Sequence, residues 1–196
     1  PNAFATGRNP ANSAIAVTEG ITRALSSREI EGVIAHEMAH IKNRDILIAS
    51  MAAMVAGVIS GIANWLQFSM LFGGHDNEDS GPLGMIGAIA TMMLAPLAAA
   101  IIQMSISRQR EYQADLTGAQ LLGDGNPLAD ALETLDRASH VVPMRTNPAA
   151  APLYIVNPLA AFGGRGMTKL FSSHPPTEER VRRLRLMSGA SLTLAA

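Results

Sequence analysis

The chain has 196 residues, enough for one domain or for one domain with membrane spans inserted, and it is 48% hydrophobic and only 16% charged, which excludes disorder. A formal net charge of −1 excludes a global electrostatic attraction to nucleic acid, so none is expected among its partners. The absence of cysteine excludes disulfide scaffolds, thiolate metal sites and cysteine nucleophiles.

Two short Ala-rich segments open the chain, residues 2–6 (NAFAT) and 13–18 (SAIAVT), and the GRNPAN run between them predicts a β-hairpin. Ser26 with Glu29 three positions on forms a capping box, and Ile30, Val33, Ile34 and Ile41 follow at helical spacing, which predicts a helix from about Ser27. With no breaker after it, this helix is expected to run on into the apolar stretch that follows.

Residues 46–107 carry only three charges, Asp76, Glu78 and Asp79, all in one short loop. The uncharged runs on either side, 29 residues (46–74) and 27 residues (81–107), each exceed the ~20 helical residues that cross a bilayer core. They read as a membrane hairpin, with spans at 46–72 and 84–107. Its alternative is a pair of long buried helices in a soluble protein. Gly57, Gly61, Gly84 and Gly87 favour the membrane, where small residues let helices approach. Lys42, Arg44, Arg108 and Arg110 flank the outer ends while the loop has no Lys or Arg, so both outer ends are expected in the cytoplasm.

Beyond the second run, residues 107–122 look helical as far as GDG. Asn126 is then expected to cap a helix with Pro127 in its first turn and Leu128, Ala131, Leu132, Leu135 and Ala138 on one face. Four prolines within 143–158 predict an irregular segment. A last helix starts near Thr177, with Glu178 and Glu179 where its dipole favours acids. The stretch Arg180, Arg182, Arg183 and Arg185 reads as a solvated face or one drawn to anionic lipid.

The chemistry centres on His36-Glu37-Met38-Ala39-His40. Four residues advance a helix by about 400°, so both histidines project from one side and can share a cation, with Glu37 beside them as general base for an attacking water. Imidazole suits zinc, and a catalytic zinc has three protein ligands and an open position. The third ligand must come from His75, Glu78, Asp79, Glu111, Asp115, His140 or His174. Two crossings return the chain to the face it left, which strands His75, Glu78 and Asp79 on the far side. Glu111 and Asp115 emerge at the right depth and lie i, i+4, so one can ligate while the other orients a histidine.

HEMAH, then two apolar runs, then SRQREYQAD and SSHPPTEER, in that order, resembles the HtpX-type membrane zinc endopeptidases, relatives of the CAAX prenyl protease. The likeness runs from PNAFATG to SHPPTEER. It implies one zinc ion on His36, His40 and Glu111, Glu37 as base, and Asp115 behind a ligand histidine. His174 and Arg180 match positions near the reacting carbonyl, where a donor stabilises the developing oxyanion. Asn2, Ala3, Phe4 and Ala5 correspond to an edge strand lining the cleft, to which a substrate adds as a further strand. The family usually carries more apolar spans ahead of the PNAFATG-like segment, and the sequence starts at Pro1 rather than Met, so it reads as an excised piece without part of its anchor.

The expected fold is α+β and predominantly helical: a zincin-like catalytic domain of residues 1–45 and 108–196, interrupted by a membrane hairpin at 46–107. The expected function is zinc-dependent endoproteolysis of misfolded or damaged membrane proteins, at the cytoplasmic face of a bacterial inner membrane and within a stress response. Two rivals are an inactive scaffold that keeps the metal as a staple, and a small metal transporter. The second would need ionisable residues within the apolar runs, which contain none.

Overall fold

The computed structural model describes residues 2–72, 82–141 and 175–189. Among these, two strands, β1 (Ala3–Asn9) and β2 (Asn12–Val17), precede six helices: α1 (Glu19–Ala24), α2 (Ser27–Lys42), α3 (Asp45–Phe72), α4 (Pro82–Leu122), α5 (Asn126–Val141) and α6 (Thr177–Gly189). The 73–81 loop, the proline-rich 143–158 segment and His174 lie outside the described residues.

The hairpin forms as expected, antiparallel, with Ala3 opposite Val17 and Ala5 opposite Ile15. It extends further toward its turn than the sequence indicated, because an irregularity between Gly7 and Asn9 lets pairing resume with Asn9 opposite Asn12. The one-and-a-half-turn α1 is an unexpected element; it buries only Ile21, too little to leave a periodic signal.

α2 begins with the capping box: Ser26 Oγ accepts the Glu29 N–H (3.3 Å) and Glu29 Oε2 accepts the Ser26 N–H (2.7 Å). Its C-terminus corrects the expectation of a helix running on. Asn43 N–H closes the last turn on Ala39 O (2.8 Å), Arg44 adopts φ 57°, and α3 starts afresh at Asp45. A left-handed residue satisfies the end of one helix and redirects the chain, and here Arg44 takes that position although it is not glycine.

From Asp45 to Leu66, α3 is long and apolar enough to cross a membrane, and only 6% of that stretch is buried. Met54, Val58 and Trp65 stand exposed, so α3 is not a core helix of this fold. α4 runs unbroken through Pro96 for 41 residues and packs against α3, with Ala63 and Ala99 among the few buried residues of this pair. Its C-terminal part joins the compact body, burying Ala114 and Ala119.

The core gathers Ile21, Leu25, Val33, Leu128, Leu132 and Leu184 from α1, α2, α5, α6 and the turn after α1. α2 and α5 meet backbone to backbone: a Cβ on Gly32 would lie 2.4 Å from Leu128 N and 2.6 Å from Pro127 C. α5 keeps Pro127 in its first turn, but the side chain that caps it is Asp124, whose Oδ1 accepts the Asn126 N–H (2.9 Å). Asn126 instead accepts from Arg185 Nη1 (3.0 Å).

The basic stretch of α6 is not a uniformly solvated or lipid-facing set. Arg180 is buried, Arg182 and Arg183 pair with Glu179, and Arg185 reaches Asp130 and Glu133. Arg183 also lies 3.9 Å over the Tyr112 ring. Carboxylates of α4, α5 and α6 itself partner these arginines, which the local spacing could not show for those contributed by α4 and α5.

Candidate metal centre

The capping box sets where α2 starts, and one turn separates His36 from His40 on the side that faces α4. Their rings meet edge to face, with centroids 4.6 Å apart and planes at 83°. α4 approaches closely: a Cβ on Gly118 would sit 3.1 Å from His36 N, so glycine sets the depth at which α4 delivers Glu111, two turns earlier. The three donors converge, with His36 Nε2 to His40 Nε2 at 3.1 Å, His36 Nε2 to Glu111 Oε2 at 3.6 Å and His40 Nε2 to Glu111 Oε1 at 3.7 Å.

The donor set fits a metal ion. Zinc bonds of ~2.0–2.1 Å at tetrahedral angles put ligand atoms about 3.3–3.4 Å apart, and the three separations bracket that value. The opposite ring nitrogens both face carboxylates: His36 Nδ1 lies 3.0 Å from Asp115 Oδ1, and His40 Nδ1 lies 2.6 Å from Asp45 Oδ2. His40 Nδ1 and Asp45 Oδ2 have hydrogen-bond geometry, whereas His36 Nδ1 lies at ion-pair distance from Asp115 without it, and Arg180 Nη2 approaches His36 Nε2 to 3.5 Å. Burial works against charging His36, yet Asp115 and Glu111 outweigh it and raise its pKa to about 10.

Around these donors stand Glu37 and Arg180, both buried. The Arg180 guanidinium donates to Asp115 through Nε (2.8 Å) and Nη2 (2.7 Å), while Nη1 lies 3.5 Å from Glu111 Oε2. Burial alone would raise the Asp115 pKa, but Arg180 more than compensates and holds it at about 2. Asp45 is the residue that sequence reasoning missed. Its only signal was an acid at the start of an apolar run, and i, i+5 is no helical pairing; the break at Arg44 brings it back to His40.

At the hairpin, Ala3 is buried and Phe4 exposed, and β1 packs on α2. Both main-chain groups of Asn2 are engaged by Thr18: its N–H donates to Thr18 Oγ1 (2.8 Å) and its C=O accepts the Thr18 N–H (2.9 Å). Beside His40, a small pocket opens between the hairpin turn and the start of α3, lined by Gly7, Ser13, His40, Ile41, Arg44 and Leu47.

The chain is 54% identical over 189 residues to a protein named Protease HtpX homolog from Pelotomaculum thermopropionicum, and 56% identical over 191 residues to one of the same name from Syntrophobacter fumaroxidans. These alignments cover 96% and 95% of this chain and 66% of each relative, so the chain spans about two thirds of their length. A third so named, from Gemmatimonas aurantiaca, is 52% identical over 188 residues, 96% of this chain and 66% of the relative. No solved structure matches. The model of peptidase family M48 matches residues 1–188, and the chain belongs to that family.

Proposed function

We propose that the chain is the catalytic part of a zinc-dependent endopeptidase, with His36, His40 and Glu111 holding one zinc ion. The observation that carries this is the convergence of the two Nε2 atoms and the Glu111 carboxylate while both Nδ1 atoms face carboxylates. When bound, the ion supplies Lewis acidity toward the substrate carbonyl and toward the attacking water. Glu37, buried one residue after His36, takes the proton from that water and returns it to the leaving amine. Arg180 and Asp115 hold the ligands in place from behind, and Arg180 with His174 donates to the oxyanion as it develops.

Substrate adds to β1. An antiparallel ladder with Thr18 N–H on Asn2 O alternates so that the main-chain groups of Ala3 and Ala5 turn to the outer edge, with Phe4 exposed beside them. The pocket beside His40 then receives a neighbouring substrate side chain. Residues 1–45 and 108–196 form the catalytic domain, and 46–107 the membrane hairpin. The exposed apolar side chains of α3 support lipid contact, and the flanking cations support a site at the cytoplasmic face of a bacterial inner membrane. Misfolded or damaged membrane proteins are the fitting substrates, in protein quality control under stress. Elemental analysis and casein cleavage in detergent test the reading. Glu37→Gln is expected to retain zinc and lose cleavage, whereas His36→Ala and Glu111→Ala lose both; equal cleavage by Glu37→Gln refutes it.

A further inference from the structure

Asp45 is the first residue of α3 and is buried, although the helix it begins is apolar and mostly exposed for the next five turns. A carboxylate in the first turn of a helix has a ready explanation in the helix dipole. That explanation does not require burial, and it does not account for Oδ2 lying 2.6 Å from His40 Nδ1. A looser counterpart stands across the site, where Asp115 of α4 lies 3.0 Å from Nδ1 of His36 without hydrogen-bond geometry. Two ligand histidines, one turn apart on α2, are thus each backed by a carboxylate from a different long helix.

We infer that Asp45 is a positioning residue of the metal centre: it fixes the tautomer and ring orientation of His40 and so couples the start of α3 to the ion site. The inference rests on the metal reading above. Bonding to Asp45 keeps the proton on Nδ1, leaves the Nε2 lone pair for the metal, and makes the imidazole more electron-rich. The break at Arg44 has a consequence on this account, since a continuous helix would carry residue 45 around to a different side from His40. Movement of α3 relative to α2 would alter metal affinity through this one contact.

The test is zinc affinity, measured by competition with a chromophoric chelator on the full chain in detergent. Asp45→Asn keeps size and an acceptor atom but removes the charge, and Asp45→Ser keeps a helix-starting side chain but withdraws it from Nδ1. Losses of about 10-fold and up to about 100-fold are expected, in that order, as for other groups that orient metal-ligating histidines. In a His40→Ala background, Asp45→Asn should change affinity no further. A loss under threefold in Asp45→Asn, or an undiminished loss when His40 is absent, overturns the inference. Failure of wild type itself to bind zinc more tightly than His36→Ala would instead overturn the metal reading.

Discussion

Replacing Arg180 by Met removes one partner of a buried ion pair and leaves the other in place. Asp115 and Arg180 are 2% and 1% exposed, and two parallel bonds of 2.8 and 2.7 Å join them. After the substitution Asp115 has lost both bonds and faces His36 Nδ1 at 3.0 Å. Removing one member of a buried pair costs about 3–5 kcal/mol, and at this chain length each kcal/mol moves the midpoint by about 2–4 °C, so a drop of about 6–20 °C is expected. The assay is thermal unfolding of the metal-free protein in detergent, followed by circular dichroism. The paired change Arg180→Met with Asp115→Leu should recover a large part of the loss, because no stranded charge is left. The cost should also depend on pH with a definite sign. Asp115 has its pKa held down at about 2 against an ordinary 3.8, so the stabilisation is complete above pH 4 and fades as pH falls toward 2. The gap between wild type and Arg180→Met should close over that interval. A single-variant cost below 1 kcal/mol, or strict additivity of the two substitutions, would refute the argument.

Gly32→Ala is expected to destabilise by about 1–3 kcal/mol or more, since the atoms its Cβ would meet belong to the backbone of Pro127 and Leu128 and cannot swing aside; chemical denaturation measures it. Because His36 titrates at about 10 in the metal-free site, zinc must displace its proton, and apparent affinity should rise about tenfold per pH unit from 7 toward 10 and then level off. Calorimetry in two buffers at pH 8 should register about one proton released, and a flat pH profile would contradict the assignment. For the metal-free protein alone, the stability contributed by this raised pKa is complete below 6.5 and disappears as pH climbs to 10, so its midpoint should fall across that range. Chelation should lower the midpoint of wild type by the equivalent of about 4 kcal/mol when free zinc had stood at 1,000 times Kd, and leave that of His36→Ala unmoved.

What could be read from the sequence divides along a physical line. Features carried by neighbours in the chain were legible: the capping box at Ser26, the i, i+4 histidines, the apolar run of α3 and the acids that open α6. Glu111 was reached less directly: an expected pair of membrane crossings narrowed the third ligand to Glu111 or Asp115, and the family likeness chose Glu111. Features that depend on chain reversal were not. The break at Arg44 is a left-handed residue that is neither Gly nor Asn, so nothing local announced it, and with the break hidden Asp45 could not be placed beside His40. Arg180 was singled out through family likeness as an oxyanion donor, but its bidentate hold on Asp115 needed α6 to be docked on α4.

The distribution of buried charge says why a cation belongs at this point. Among the described residues the buried acidic and basic side chains, histidine aside, are Glu37, Asp45, Glu111, Asp115 and Arg180, and all of them lie about the two histidines. Carboxyl groups outnumber the guanidinium in this cluster, and His36, raised well above the ordinary histidine range by Asp115 and Glu111 despite its burial, supplies part of the balancing charge. Each uncompensated buried ion costs several kcal/mol, and a fold selected for stability alone would have replaced some of these acids with apolar side chains. None is idle on the present reading: Glu111 ligates, Asp45 and Asp115 hold the histidines, and Glu37 is left to move protons. The high His36 pKa expresses the same deficit, which a proton relieves in part and a divalent ion relieves further. On the proposed reading proton and metal compete for one place, and the acids that are costly to bury are the ones that would give it affinity for an ion.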